Sequence, residues 1–89
     1  MKSPTYAQRI EQKLTAALAP SLLIVEDQSA RHSGHSGSRP EGETHFAVTI
    51  VSAQFIGKSR IEQHRMIHNI LAEELNEHVH ALALTCRLP

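Results

Sequence analysis

Histidine is the residue type that stands out for possible chemistry: the 89-residue chain holds seven His, against one Tyr, two Phe and no Trp. Imidazole changes its protonation near neutral pH and is the commonest metal ligand in proteins, so clustered histidines indicate acid–base or metal chemistry. His32 and His35 lie three residues apart in a Gly- and Ser-rich stretch, where two exposed rings could bind a metal ion. A structural zinc site takes four ligands, and no Cys pair is present. A solvated polar segment is therefore the commoner explanation of this spacing taken alone.

Two further histidine pairs lie in the second half of the chain. His64 and His68 are four residues apart, but Arg65 stands where the metalloprotease motif His-Glu-x-x-His has its catalytic Glu. Both rings fall near the apolar stripe of a predicted helix, which favours partly buried, hydrogen-bonded structural histidines. His78 and His80 precede an apolar strand. We expect His80 either at the end of a sheet, exposed to a partner, or as a cap on a backbone carbonyl.

Charged residues form one local basic cluster in a chain that is otherwise balanced. Lys58, Arg60 and Arg65 make up this basic cluster, and at a helix N-terminus they could hold a phosphate. A solvated helix start is the commoner explanation. Nine Lys and Arg balance nine Asp and Glu, so the formal net charge is zero and binding to nucleic acid through bulk charge is disfavoured.

The remaining residue types that could carry chemistry do not indicate an enzyme active site. Glu73, Glu74 and Glu77 fall at the C-terminal end of a predicted helix, where negative charge opposes the helix dipole. Either a partner surface or solubility would account for them. The single cysteine, Cys86, cannot form an internal disulfide, and its apolar strand pattern argues against a reactive thiolate. No Ser-His-Asp order, nucleotide-binding loop or paired-carboxylate arrangement is present.

The spacing of apolar residues predicts the elements that must position these side chains. A helix is expected over about 4–18, with Ser3 as N-cap and Pro4 at its first position. A strand follows at 22–25, a flexible loop at about 28–43 and a second strand at 45–52. Ser59 and Glu62 form a capping box for a helix to about residue 76, with Ile67, Leu71 and Leu75 as its core stripe. A third strand is expected at 81–86.

This α-β-β-α-β order predicts an α+β fold in a single domain over residues 1–89. The first two strands are expected to be antiparallel, and the crossover through the helix favours parallel pairing of the second and third. The result is a small three-stranded mixed sheet with helices packed on one face. The sequence contains no run of roughly 18 or more apolar residues, so it predicts no transmembrane helix. The N-terminal residues contain no apolar signal core, so we expect a cytoplasmic protein, or one of an organelle matrix if a presequence has been removed.

Blocks of residues from Arg9 to Pro89 closely resemble the BolA family. The matching blocks are Glu43-Thr44-His45-Phe46, residues 48–52, Phe55, Gly57, residues 63–67, residues 71–75 and Val79-His80-Ala81-Leu82-Ala83-Leu84. The resemblance implies a fold like that of class II KH domains, in agreement with the predicted element order.

The resemblance also implies a role in iron–sulfur chemistry. It implies a monothiol glutaredoxin as partner and a [2Fe-2S] cluster shared between the two proteins, with a glutaredoxin Cys and glutathione on one side. On the BolA-like side it implies the His of Val-His-Ala, which is His80, and a second ligand from the loop between strands one and two. Alignment from the Asp-x-Ser segment places His32 there, with His35 close enough to compete. Several relatives carry Cys in this loop, and here none is available.

Two functions therefore follow from the resemblance. The first is cluster assembly or trafficking, or iron and redox regulation, with no stable cluster in the isolated chain, which is expected to be a monomer or weak dimer. The alternative is a DNA-binding transcriptional regulator of stress response and cell morphology, with weak contacts from Lys58, Arg60 and Arg65. Because the net charge is zero, the iron–sulfur role is preferred.

Overall fold

The computed structural model describes residues 4–28 and 42–89, so His32 and His35 lie outside the described residues. The elements are α1 (Tyr6–Leu18), β1 (Leu22–Asp27), β2 (His45–Val51), a short 3₁₀ helix (Ala53–Phe55), α2 (Arg60–Ile70), α3 (Ala72–Glu77) and β3 (Ala81–Arg87). The predicted α-β-β-α-β order is confirmed, with the second helix divided in two. None of the helices in these ranges is long and apolar enough to cross a membrane.

The sheet has the strand order β1-β2-β3, with β1 antiparallel and β3 parallel to the central β2. Alternation along β2 buries Phe46, Val48 and Ile50 on one face, as the period-2 pattern predicts. Ile10 and Leu14 of α1 join these side chains in the hydrophobic core, which α2 completes with its own apolar residues. The helices therefore cover one face of the sheet, in agreement with the predicted α+β architecture.

Side-chain caps set where the helices begin. Thr5 is the N-cap of α1: its hydroxyl accepts from the Gln8 backbone N–H at 3.1 Å, and the Gln8 side chain accepts from the Thr5 N–H at 2.9 Å. The prediction of Ser3 as N-cap and Pro4 inside the helix is wrong. Thr5 has a Gln three residues later to complete a capping box, whereas Ser3 does not. The predicted capping box of Ser59 and Glu62 is confirmed, with bonds of 3.1 and 2.8 Å.

The predicted single second helix is interrupted at Leu71. This residue has φ −101° and ψ 17°, and it separates α2 from α3. Its N–H still donates to the Ile67 carbonyl at 2.9 Å, and its own carbonyl accepts from Leu75 N–H at 3.0 Å. Ile67 and Leu71 are fully buried and Leu75 is half-buried, so the core stripe is placed as predicted. Apolar spacing gives the same pattern for a straight helix and for one with a single non-helical residue, so the interruption left no signal.

Candidate metal centre

His80 combines a fixed backbone with an exposed side chain. Its N–H donates to the Thr44 carbonyl at 2.7 Å, and the Ala81 N–H donates to the same oxygen at 3.2 Å. Thr44 is fully buried, so this acceptor is held by the core. The imidazole of His80 is exposed, and its ring nitrogens form no hydrogen bond within residues 4–28 and 42–89. The ring of His80 is therefore accessible at the protein surface.

Gln28 and Gly42, the described residues that precede and follow residues 29–41, lie at this edge of the sheet. Gln28, at one end, donates its N–H to the His45 carbonyl at 2.7 Å. Gly42, at the other end, has its carbonyl oxygen 3.0 Å from Nε2 of His78. His45 is paired in register with Ala81, the residue after His80. Gln28 and Gly42 therefore both lie at the edge of the sheet that carries His80.

His45 is a neighbour of His80 that the sequence interpretation missed. The two ring centroids lie 6.1 Å apart, with the planes inclined by 24°. Nδ1 of His45 is 2.9 Å from the Thr44 hydroxyl, so Thr44 contacts His45 through its side chain and His80 through its carbonyl. The signal was available, because two parallel strands that both start with a histidine-bearing segment bring those segments to one edge.

His78 has a different role from His80. Its ring is half-buried and stacks on Tyr6, with centroids 4.8 Å apart and planes inclined by 9°. Because a carbonyl oxygen can only accept, the contact with Gly42 means that Nε2 of His78 carries the proton and donates it. Tyr6 in turn donates its hydroxyl to Glu77 at 3.0 Å.

A depression of about 270 Å³ opens beside these histidines, lined by Leu75, Asn76, Glu77, His78, Val79 and His80. Among the described residues, no group of three or more His, Cys, Asp or Glu side chains is arranged to hold a metal ion. A metal centre at His80 would therefore need ligands from residues 29–41 or from a partner. The chemistry of the donor fits that arrangement, since a neutral imidazole is a good ligand for iron and zinc.

Glu73, Glu74 and Glu77 form an ion-pair network with α1, an explanation that differs from both alternatives offered by the sequence, a partner surface and solubility. Oε2 of Glu74 lies 2.8 Å from both Arg9 Nη2 and Lys13 Nζ, and its side chain is only 1% exposed. Arg9 also reaches Glu77 at 3.0 Å and Glu73 at 3.2 Å. These partners are more than sixty residues apart in sequence, so the helix pattern alone could not show them.

The electrostatics of this network follow from its contacts. The hydrogen bond from Arg9, with a second from Tyr6, holds the pKa of Glu77 below its ordinary range. Burial alone would raise the pKa of Glu74, but the hydrogen bonds and charges of Lys13 and Arg9 outweigh it and keep that pKa low. Both carboxylates therefore stay ionised and bind α3 to α1.

The basic cluster is exposed and lies away from His80. Lys58, Arg60 and Arg65 are all exposed, and two isoleucines beside them, Ile56 and Ile61, are each 63% exposed. Lys58 comes after the C-terminal end of β2, whereas His80 lies at the edge where β2 begins. The structure therefore separates the two predicted sites.

The structure corrects part of the interpretation of two other side chains. His64 is half-buried, but His68 is exposed, so the prediction of a partly buried histidine is wrong for His68. Four residues advance by about 40° beyond one full turn of a helix, which is enough to carry the second ring off the apolar face. Cys86 is half-buried and burial raises the pKa of its thiol, which agrees with the expected unreactive cysteine.

Comparison with known proteins decides the family, because the family model described as BolA-like protein matches residues 14–89. The chain belongs to the BolA family. It is 51% identical over 77 residues to the DNA-binding transcriptional regulator BolA of Escherichia coli, a match that covers 86% of this chain and 70% of the relative. It is 41% identical over 85 residues to Protein BOLA1, chloroplastic, of Arabidopsis thaliana, covering 93% of this chain and 53% of the relative.

Solved structures show the same family resemblance in three dimensions. The BolA domain of SufE1 from Arabidopsis thaliana matches with a TM-score of 0.87 and 41% identity, covering 99% of this chain and 96% of that one. BolA1 from the same plant matches with a TM-score of 0.85 and 36% identity, covering 98% and 95%. The chain spans about half the length of the chloroplastic relative named above, and 23% of the SufE-like protein 1 that it also matches. The predicted BolA-like fold is confirmed.

Proposed function

We propose that this BolA-family chain binds a monothiol glutaredoxin and shares a [2Fe-2S] cluster with it, in cluster assembly, trafficking or iron and redox regulation. His80 would supply one ligand, and His32 or His35 the second. A glutaredoxin Cys and its glutathione would hold the other iron. The observation that carries the proposal is the exposed imidazole of His80, on a fixed backbone, at the edge of the sheet where Gln28 and Gly42 also lie.

Chain length allows either of the two candidate histidines to serve. An extended chain advances by about 3.3–3.6 Å per residue, so the four residues from Gln28 to His32 can span at most roughly 14 Å and the seven to His35 at most roughly 25 Å. Both tethers begin from a residue that is bonded to His45, beside His80. The family alignment from the Asp-x-Ser segment makes His32 the preferred ligand.

When bound, the cluster supplies one-electron redox chemistry and an iron–sulfur unit that can be transferred. The chain's own contribution is a pair of neutral imidazoles in place of thiolates. Neutral ligands leave less negative charge on the centre, which raises its reduction potential. Protons compete with metal ions for imidazole ligands in general, so metal binding through histidine depends on pH. A ligand that can be protonated is suited to release or sensing.

The test is anaerobic co-expression of the full chain with a monothiol glutaredoxin. We expect a coloured 1:1 complex with the visible absorption and circular dichroism of a [2Fe-2S] centre, and a colourless chain when it is expressed alone. The matched control is co-expression of the glutaredoxin with the His80→Ala variant. A lone chain that carries a stoichiometric [2Fe-2S] centre would contradict the proposal, as would a colourless mixture of the two proteins.

DNA binding is the second candidate function. It is supported by the 51% identity to a relative whose name is DNA-binding transcriptional regulator BolA, together with the exposed cations Lys58, Arg60 and Arg65. We rank it below the iron–sulfur role because a formal net charge of zero gives no bulk attraction to phosphates.

A further inference from the structure

His78 joins three segments that are distant in the sequence. Its ring stacks on Tyr6 at the first turn of α1, with a centroid separation of 4.8 Å. Its Nε2–H donates to the Gly42 carbonyl at 3.0 Å. Its own backbone N–H donates to the Glu74 carbonyl at 3.1 Å, which closes the end of α3. Two residues later comes His80, so one imidazole connects α1, the turn at Gly42 and the segment that carries the exposed histidine.

The turn that His78 holds has a backbone conformation that needs support. Gly42 has φ 71° and Glu43 has φ 61°, and positive φ is uncommon for a residue with a side chain. The Glu43 N–H donates to Asp27 at 3.1 Å, and the Glu43 carboxylate accepts from the backbone N–H groups of Tyr6 and Ala7 at 3.4 and 3.2 Å. Contacts from β1, α1 and His78 together hold this turn in place.

We propose that His78 is a positioning residue for the metal centre: by donating to Gly42 it fixes the turn at residues 42–44 relative to His80. Thr44, at the end of that turn, accepts the N–H groups of His80 and Ala81 through one carbonyl oxygen. A shift of the turn at residues 42–44 would therefore move His80, and it would also move the start of β2 at His45. The part of this inference that concerns the cluster rests on the proposed function, and the part that concerns the turn does not.

Two substitutions separate the two contacts of the His78 ring. His78→Phe keeps a flat ring to stack on Tyr6 but removes the donor to Gly42. His78→Gln loses the ring but keeps an amide N–H that can reach a carbonyl. Tyr6→Phe keeps the stack and removes only the hydrogen bond to Glu77. His68→Gln is the matched control, since His68 is exposed on α2.

The first measurement is amide hydrogen exchange in the isolated full chain. Loss of one hydrogen bond is expected to speed exchange at Glu43 and Ala7 by roughly three- to tenfold in His78→Phe. The Ile50 amide, in the buried centre of β2, reports global unfolding and should be unchanged. His78→Gln should recover part of the protection, and Tyr6→Phe and His68→Gln should resemble the parent.

The second measurement is the rate of cluster loss from the glutaredoxin complex, followed by visible circular dichroism. We expect several-fold faster loss in His78→Phe, partial rescue in His78→Gln and no change in His68→Gln. Unchanged exchange at Glu43 and Ala7 in His78→Phe would overturn the anchoring of the turn, whatever the cluster does. Faster exchange with an unchanged cluster lifetime would overturn the positioning role. If the parent complex holds no cluster, the proposed function fails, and the exchange rates still decide whether His78 holds the turn.

Discussion

At the scale of single residues, the candidate centre depends on how much order each imidazole must gain in order to bind. His80 has its backbone N–H bonded to a buried carbonyl, so only the torsions of its side chain remain to be fixed. His32 and His35 stand in a stretch rich in Gly and Ser, and Gly loses more backbone entropy than any other residue type when it becomes fixed. Ordering such a ligand costs roughly 1–2 kcal/mol for each residue that becomes fixed. The contribution of His80 is therefore the least substitutable.

The His80→Ala substitution is expected to do more damage to the shared cluster than either His32→Ala or His35→Ala. Because His32 and His35 are close in sequence, one can partly replace the other. Each single change should therefore give a shifted or more labile visible circular dichroism spectrum, and the double change a clear loss. The rate of cluster loss from each anaerobic complex provides the measurement, with His68→Ala as the control. If His80→Ala and the double variant both match the parent, the histidine-ligand proposal fails.

At the scale of elements, local pattern predicted the buried face of β2 and the start of α2, but it misplaced the N-cap of α1 and gave no sign of the interruption at Leu71. Alternating Phe46, Val48 and Ile50 predicted the buried face of β2, and the Ser59–Glu62 pair predicted where α2 begins. Local pattern was insufficient where a distant element decides. The ion pairs of Arg9 with Glu74 and Glu77 join residues more than sixty positions apart, and no local pattern gives that contact. The position of His32 and His35 lies outside the described residues, so their role as ligands stays a prediction.

The ion pairs between α1 and α3 are expected to contribute measurably to stability. Glu74→Gln removes the charge that Arg9 and Lys13 contact in a buried position, and leaves an amide there. We expect the free energy of unfolding to fall by about 1–3 kcal/mol in chemical denaturation. Glu73→Gln is the matched control, because its side chain is 63% exposed and exposed pairs contribute about 0–1 kcal/mol. Equal effects of the two substitutions would show that burial of Glu74 is not what gives the network its strength.

The same network predicts a pH dependence. The pKa values of Glu74 and Glu77 lie below the ordinary value of 4.5 in the folded chain, so the unfolded chain binds protons more readily. The contribution of these two carboxylates to the free energy of unfolding is therefore fully present above pH 4.5. It is lost as pH falls through the lowered pKa values of the folded chain. Denaturation midpoints measured from neutral pH downwards should decline in this window, and should decline less in a Glu74→Gln/Glu77→Gln variant. A decline of the same size in both proteins would assign the acid sensitivity to other groups.

At the scale of the whole molecule, the sheet keeps the two candidate functions apart. His80 stands at the edge where β2 and β3 begin, and the basic cluster follows the other end of β2. A partner at one edge therefore need not cover the other. The balance of nine cations and nine anions gives the chain no overall field to attract a polyanion, so any nucleic-acid affinity must come from this local cluster.

Binding to duplex DNA is therefore expected to be weak and steeply dependent on salt. If Lys58, Arg60 and Arg65 each neutralise one phosphate, three released counterions give a slope of about −2.7 in log affinity against log salt. The affinity should then fall about 40-fold between 50 and 200 mM salt, as measured by fluorescence anisotropy. Substitution of all three by Ala should remove most of this dependence, whereas Arg87→Ala, an exposed cation on β3, should change it little. Tight, sequence-specific binding that survives the triple substitution would place the DNA contact elsewhere on the chain. Because His80 lies at the other end of β2, the triple variant should still form the coloured complex with glutaredoxin, so the two functions can be tested independently.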